Sequence, residues 1–495
     1  MQKKRTRHQQ IAIRFLTYGA MASVAALGVV FCLAWAMGFR IDWHSGKLTQ
    51  VALLQFNSFP TGAVVDINGQ TLSSGTPTRS TVKTGETNVI MSKPDYRSWQ
   101  KTVNMLPSGV VWLNYVRLIP TSILTDTTKE FAAVIEMRES PDRKWLLLRH
   151  SDNDRCQDGL VCPEMLRDES LTRPFSLTLV GIANPRDVSL MNLTIPSDKI
   201  TWPAVGEEEK FSIVEWDQGS RYILIEHTIN EMTEYLRLDR ANPGAVKNLT
   251  HDFGMQISDP HFSGTSGNVF FALTGTDLRR FDYGNNTASA PLASGVENYR
   301  PYENGRLAVV SIETKDDKTT ESVGIYNDGR VTVLQTYATV EPTLAVLTRF
   351  NGIDYLAIAR GDQITIYPRP LDQDDKIQPL YLDSPDGVDW LDTSPDGQFI
   401  LAGREGQLLS FDLDTSLSYA FAVTGQNQAP QWLDDSHIVS TSGEMITFIE
   451  FDGQNREDIV GARGRVVLSR DNKYLFSIGD TLSGAVLQRS KLVID

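Results

Sequence analysis

Cysteine and histidine are scarce: the 495-residue chain holds 3 Cys and 7 His. Three thiols cannot build the disulfide framework of a small secreted scaffold, and so few soft ligands leave little for a transition-metal site. The histidines are scattered singly (His8, His44, His150, His227, His251, His261, His437), and the His-Glu-x-x-His spacing of metalloproteases is missing. So are the Gly-x-Ser-x-Gly elbow and the glycine-rich phosphate loop ending in Lys-Ser/Thr. Helical sequence of the α/β-hydrolase kind is lacking too, which rules out a prolyl-peptidase arrangement. Positive charge is in deficit, with 47 Lys and Arg against 61 Asp and Glu and a net charge of −14. Acidic residues are absent from the first 40 positions, where Lys3, Lys4, Arg5, Arg7, Arg14 and Arg40 stand, so the rest carries about −20. A body that acidic is repelled by phosphate backbones, which argues against a nucleic-acid partner.

Charge is missing altogether from Phe15 to Phe39, a run rich in Ala, Val, Leu, Gly and aromatics. That length crosses a bilayer as a helix. Tyr18 lies near one end and Trp35 and Trp43 near the other, as interfacial anchors do. The basic residues precede the span, so the positive-inside rule keeps residues 1–14 cytoplasmic and the C-terminal body outside. A cleaved signal peptide is the competing reading, because Ala34-Trp35-Ala36 has a small-x-small form. The apolar run exceeds the usual 7–15 residues of such a peptide, which favours a single-pass signal anchor over 15–39. Cys32 follows Val29-Val30-Phe31 and so lacks the small residues of a lipid-attachment site; it reads as a soft apolar residue of the span.

The other two cysteines, Cys156 and Cys162, flank an Asp158-Gly159 turn. In an oxidising compartment a small disulfide-closed hairpin is expected, with two reduced thiols as the alternative. Asp152 and Asp154 make the best calcium candidate nearby, but Cys156 falls where an oxygen ligand is needed. The acidic clusters at Glu207-Glu208-Glu209, Asp316-Asp317 and Asp372 to Asp375 read as solvated loop charge. No metal, cofactor or catalytic residue is assigned.

After a linker at 40–50, residues 51–118 alternate apolar and polar positions between turn residues, the pattern of strands. Asn68-Gly69 is a type I′ hairpin signal. Phe59-Pro60-Thr61-Gly62-Ala63, Ile67-Asn68-Gly69, Gly75-Thr76-Pro77, Gly85 and Asp95-Tyr96 recur in order as in the PEGA domain, which this segment resembles. The motif residues are Pro60, Gly62, Ala63, Asn68, Gly69, Thr76, Pro77, Gly85 and Tyr96. Asp95 departs from the pattern, standing where the family commonly has Gly, and must accept the backbone geometry Gly serves. The resemblance implies a β-sandwich-like module of bacterial envelope proteins without chemistry of its own. Its turn formers and core apolars agree with that. Tyr96, Trp99 and Trp112 read as core residues, with glycan contact as the alternative.

From 123 to 495 a strand–turn–strand unit recurs about every forty to fifty residues, the spacing of four-stranded propeller blades. Its copies are Val134 to Leu148, Phe211 to Ile225, Ser258 to Phe271, Tyr299 to Val310, Glu341 to Ile358, Val388 to Ala402, Gln431 to Ser440 and Val466 to Phe476. An insertion at about 152–172 carries the Cys pair. Eight blades are counted; seven fits nearly as well, since the last copy is short and closure can borrow a strand from the other end. Ser394-Pro395-Asp396-Gly397, with Ser140-Pro141-Asp142 and Ser469-Arg470-Asp471-Asn472, resembles the turns of TolB-like and WD-like propellers. The fold class is therefore all-β: a transmembrane helix, a PEGA domain and a seven- or eight-bladed propeller.

Propellers expose a rigid ring of loops and a central channel, so the expected role is binding. The partners expected are the bilayer, through the helix, and an envelope protein or cell-wall glycan. The rival is an envelope enzyme acting on glycan through carboxylates at the channel, for which Asp389, Asp392, Asp434 and Asp435 are the candidates.

Overall fold

The computed structural model describes residues 7–41, 46, 48–151, 175–202, 209–372, 378–384, 387–404, 406–423, 430–442, 445–481 and 484–494. They form two compact units, one reaching to Ser122 and including Ile494, the other Ile123–Val493. The first opens with helix Arg7–Ala36, whose segment Arg14–Ala36 is apolar, long enough to span a membrane, and covered by no part of the protein.

Two four-stranded sheets follow. In one, Leu48–Phe59 pairs with Phe39–Ile41, Thr78–Lys83 and, in parallel, Val110–Arg117. Thus part of the stretch read as a linker is hairpin. The other is built on Val64–Ile67, Gly85–Ser92 and Trp99–Met105. Alternate side chains of each strand meet in one core, with Leu54, Phe56, Val65, Val89, Met91, Trp99, Met105 and Leu113 buried. Trp99 and Tyr96 are core residues, whereas Trp112 is exposed.

The motif residues hold this sandwich together. Asn68 and Gly69 take φ of 50° and 83° between the paired Ile67 and Gln70, as a type I′ turn requires. Thr76 and Ala63 join two loops: Gly62 N–H donates to Thr76 O at 2.7 Å, Thr76 N–H to Ala63 O at 2.9 Å, and Ala63 N–H to Thr76 Oγ1 at 3.0 Å. A Cβ on Gly75 would stand 3.1 Å from Ala63 O, which is why glycine precedes Thr76. Asp95 has a φ of 66°, the left-handed geometry its Gly relatives serve. Tyr96 Oη accepts from Ile494 N–H at 2.7 Å and so ties down the chain's end.

The second unit is eight four-stranded antiparallel sheets. Each sequence copy is the first hairpin of one of them. The first strands are Ala133–Glu139, Glu209–Trp216, Ser258–Phe262, Val296–Pro301, Thr343–Phe350, Trp390–Thr393, Gln431–Trp432 and Arg463–Leu468, in blades 1 to 8. Blade 8 takes its fourth strand from the front of the unit: Leu124–Phe131 pairs with Gly484–Lys491, reinforced by Arg489 to Asp126 at 2.8 Å. The borrowed strand therefore completes an eighth blade.

Apolar side chains between neighbouring sheets close the ring. Leu147 and Phe211 share a core between blades 1 and 2, Leu224 and Phe262 between 2 and 3, and Phe271 and Leu307 between 3 and 4. Val310 and Leu347 join blades 4 and 5, Ile364 and Ile400 blades 5 and 6, and Phe399 stacks on Trp432 across 6 and 7. Gln431 Nε2 donates to Val466 O between blades 7 and 8, and Phe476 meets Met137 where 8 returns to 1. First strands touch first strands of the next sheet, as in blades 1 and 2, 2 and 3, 5 and 6, and 8 and 1, so they are innermost. Closure leaves few free sheet edges in a unit built almost wholly of strands.

Candidate functional site

The turns leading out of the innermost strands repeat one geometry in blades 1, 6 and 8. Ser140, Ser394 and Ser469 each donate Oγ–H to the Asp two residues on, at 2.7, 2.7 and 2.6 Å. Each Oγ also accepts the N–H five residues on, from Trp145, Phe399 and Tyr474 at 3.1, 2.9 and 3.0 Å. Asp142, Asp396 and Asp471 in turn accept the N–H of Lys144, Gln398 and Lys473. In blade 2 Asp217 fills the serine's place, taking the N–H groups of Arg221 and Tyr222 at 2.7 Å each. Its other oxygen is buried without a hydrogen bond, and burial pushes its carboxyl up despite these backbone donors.

These turns set a register. In every blade but the fifth, the residue opening the turn donates its N–H back to the start of the second strand: Ser140, Asp217, Ser263, Tyr302, Ser394, Leu433 and Ser469. Two residues before it stand Arg138, Glu215, His261, Arg300, Asp392, Gln431 and Val467, one per blade on the innermost strand. Five of these seven are charged or titratable, whereas Val467 is buried in the core shared by blades 8 and 1.

Among these, Asp392 carries charges from beyond the neighbouring blades. Asp392, in blade 6, feels the charges of Arg300 in blade 4 and Arg465 in blade 8. Each stands on the innermost strand of a sheet two blades away. Asp392 reaches solvent, yet the protein around it pushes its carboxyl above the ordinary carboxylate range; the Thr393 N–H and the two guanidiniums oppose this. Arg300 is exposed, and among the described residues it makes no ion pair. Arg465 Nη2 lies 3.6 Å from Glu139 Oε1, while Arg465 Nε and Glu139 Oε2 are buried without a hydrogen bond.

A second group lines blades 2 and 3. His261 Nδ1 is 2.9 Å from Glu215 Oε2 and Nε2 is 3.3 Å from Asp259 Oδ1, while Glu215 also accepts the Phe262 N–H. Burial opposes a charge on His261, but its bonds to Asp259 and Glu215 outweigh that and hold its pKa up to about 9. The side chain is therefore an imidazolium bridging two blades.

The four carboxylates singled out from sequence are divided among separate places. Asp389 is taken up by Arg404 at 2.7 Å. Asp434 caps its own turn, accepting from Ser436 N–H and His437 N–H with His437 Nδ1 at 2.8 Å. Asp435 is pushed up by burial and by Asp396 and Asp434, with Arg143 opposing. Asp392 alone of the four joins Arg300 and Arg465 in the lumen. Those arginines, Glu139 and the His261 group escaped the sequence reading, although the position two residues before each turn marks most of them.

Elsewhere, Asp316 and Asp317 form a two-residue hairpin turn at φ 51° and 59°, and Glu209 pairs with buried His227 at 3.0 Å. Cys156, Cys162, Asp152, Asp154, Glu207, Glu208, Asp374 and Asp375 lie outside the described residues. Among those described, no group of three or more His, Cys, Asp and Glu is arranged to hold a metal ion.

Fold and site thus define an all-β protein: an apolar N-terminal helix, a two-sheet module and an eight-bladed propeller with a charged lumen. Residues 52–118 match the family model of the PEGA domain. No curated protein sequence matches the chain. Among solved structures, an oligogalacturonate lyase in complex with manganese aligns with a TM-score of 0.37 at 10% identity, over 58% of this chain and 98% of that one. Apo AztD from Citrobacter koseri gives 0.39 at 12%, over 81% and 96%. Dipeptidyl peptidase 4 of Porphyromonas gingivalis gives 0.45 at 12%, over 71% and 57%.

Proposed function

We propose that the protein is a membrane-anchored, extracytoplasmic binding protein of the bacterial cell envelope. Its N-terminus is cytoplasmic, the PEGA domain serves as membrane-proximal spacer, and the propeller is a platform for an envelope protein or cell-wall glycan. The observation that carries this reading is the set of charged residues on the innermost strands of alternate blades, with Arg300 and Asp392 exposed in blades 4 and 6, and with Arg465 in blade 8. It describes a water-reaching lumen where guanidinium groups stand ready for a polar, anionic group of a ligand. An apolar lumen would have supported a purely structural role instead. Wild-type and Arg300→Ala, Arg465→Ala protein, purified in detergent, are compared for retention of envelope proteins and of acidic and neutral wall oligosaccharides. Loss of one ligand in the double variant is expected; equal retention by both proteins would refute a lumen site.

An enzyme acting on glycan is the second reading, favoured by the raised carboxyls of Asp392 and Asp435. Turnover of a wall polymer that Asp392→Asn abolishes, with binding intact, would make it the better one.

A further inference from the structure

The helix Arg7–Ala36 runs into the PEGA domain without a tether. Met37 and Gly38 N–H groups bond back to Leu33 O and Trp35 O at 2.9 and 3.1 Å, and the chain turns at Gly38, φ 79°, directly into strand Phe39–Ile41. A Cβ on Gly38 would stand 2.7 Å from Val51 O and 2.8 Å from Ser108 Oγ, so glycine alone lets the backbone pass. Val51 N–H donates to Gly38 O at 2.9 Å, and Ser108 N–H to Val51 O at 3.0 Å. Ser108 Oγ–H donates to Ala36 O, the helix's last carbonyl, at 2.9 Å. Arg40 folds back on the same turn: its guanidinium carbon is 3.6 Å from the centre of the Trp35 ring, and Nη1 donates to Trp35 O at 2.9 Å. The hairpin through Arg40 and the Leu106–Gly109 turn therefore flank the end of the helix.

Around this junction Met37, Leu48 and Leu106 are 57%, 62% and 65% exposed. Apolar side chains of that size are driven out of water, so three left bare beside an uncovered apolar helix need a cover. The helix says what it is. Ala36 O and Ser108 share a hydrogen bond, so the Leu106 turn stands within a few residues' reach of the depth where the helix leaves the apolar layer. Trp35 with Arg40 across its face is the pairing that suits the headgroup zone.

We infer that the base of the PEGA domain is seated in the lipid headgroup layer, with Met37, Leu48 and Leu106 inserted beside the helix. The domain is then a collar fixed to the membrane, not a stalk swinging above it. This rests on the membrane-anchored reading proposed above, and the two fail separately. The full chain, with its native cysteines replaced by serine, is reconstituted in phosphatidylcholine–phosphatidylglycerol vesicles carrying an environment-sensitive fluorophore at Leu106→Cys. Thr61→Cys is the control; it is exposed at the far end of strand Leu48–Phe59, roughly 26 Å along from Val51. The label at 106 is expected to emit to the blue and to lose most of its emission when spin-labelled lipid is included, while that at 61 does neither. A label at 106 that behaves like that at 61, in protein that floats with the vesicles and resists alkaline extraction, would overturn the seating and leave the anchor standing. Protein that does not float would overturn both. Leu106→Asp, unlabelled, provides the variant arm: faster proteolysis at the hairpin in vesicles, restored by Leu106→Phe, is expected, and unchanged proteolysis counts against the seating.

Discussion

Removing the hydroxyl of Ser394 tests whether the Ser-x-Asp turn holds a blade as described. Ser394→Ala deletes the acceptor of the Phe399 N–H at 2.9 Å and the donor to Asp396 at 2.7 Å, both at a residue that is almost fully buried. Asp396 keeps the Gln398 N–H, so the main loss is one orphaned buried donor, about 1–3 kcal/mol. The unit spans Ile123–Val493. At an unfolding entropy of about 2.1 cal/mol/K per residue, 2 kcal/mol lowers its melting temperature by roughly 2–3 °C. Ser140 and Ser469 have the same bonds in blades 1 and 8, so Ser140→Ala and Ser469→Ala should each cost as much. Ser394, in blade 6, is in a blade next to neither of the others, so Ser394→Ala combined with Ser140→Ala should lose roughly 5 °C, whereas the Ser140 and Ser469 turns are joined by Arg143 Nη1 to Asn472 Oδ1 at 3.2 Å and can couple. Differential scanning fluorimetry reads this directly. A silent Ser394→Ala, or three replacements with widely different effects, would refute the idea that one hydrogen-bonded unit is repeated around the ring.

Other consequences concern charge and backbone. Burial raises the Asp217 carboxyl, so stability is lost as pH rises from the ordinary value of 3.8 through the folded one. The melting temperature of Asp217→Asn relative to wild type should therefore climb as pH rises above 3.8, whatever constant offset the amide adds; a flat difference would contradict it. His261 has the opposite sign: its pKa is raised from 6.5 to about 9, so its contribution is complete below pH 6.5 and lost as pH rises through 9. Wild type should lose melting temperature over that window and His261→Gln should not. In the PEGA domain, the left-handed Asp95 should tolerate Gly with equal or higher stability, while Asp95→Val costs about 1–2 kcal/mol by thermal melting.

Much of the fold was legible because β-structure writes itself locally. Turn residues punctuate period-two strands, so all eight first hairpins could be located from runs such as Ser394-Pro395-Asp396-Gly397, and Asn68-Gly69 gave its turn type outright. Blade number was less readable, since the strand that completes blade 8, Leu124–Phe131, is more than 350 residues from its partner Gly484–Lys491 and has no feature announcing it. The lumen was the least legible part. Asp392 was found as an acid near a turn, but Asp389 and Asp434 look the same in sequence and are consumed by Arg404 and His437. What separates them is register: Asp392 stands two residues before its turn, the position that Arg138, Glu215, His261 and Arg300 share across blades whose turns have diverged. The pairing of Arg465 with Glu139 is a contact between the last blade and the first, which only ring closure creates.

The most direct test of the binding role is photo-crosslinking in living cells. A photoreactive residue replaces Ile135, which is 47% exposed on the innermost strand of blade 1, or Leu417, 53% exposed on the outermost strand of blade 6. The expected result is a discrete adduct from position 135, lost when Arg300 and Arg465 are both replaced by alanine, and none from position 417. Adducts from position 417 alone, or an adduct at 135 indifferent to the two arginines, would contradict a ligand site in the lumen.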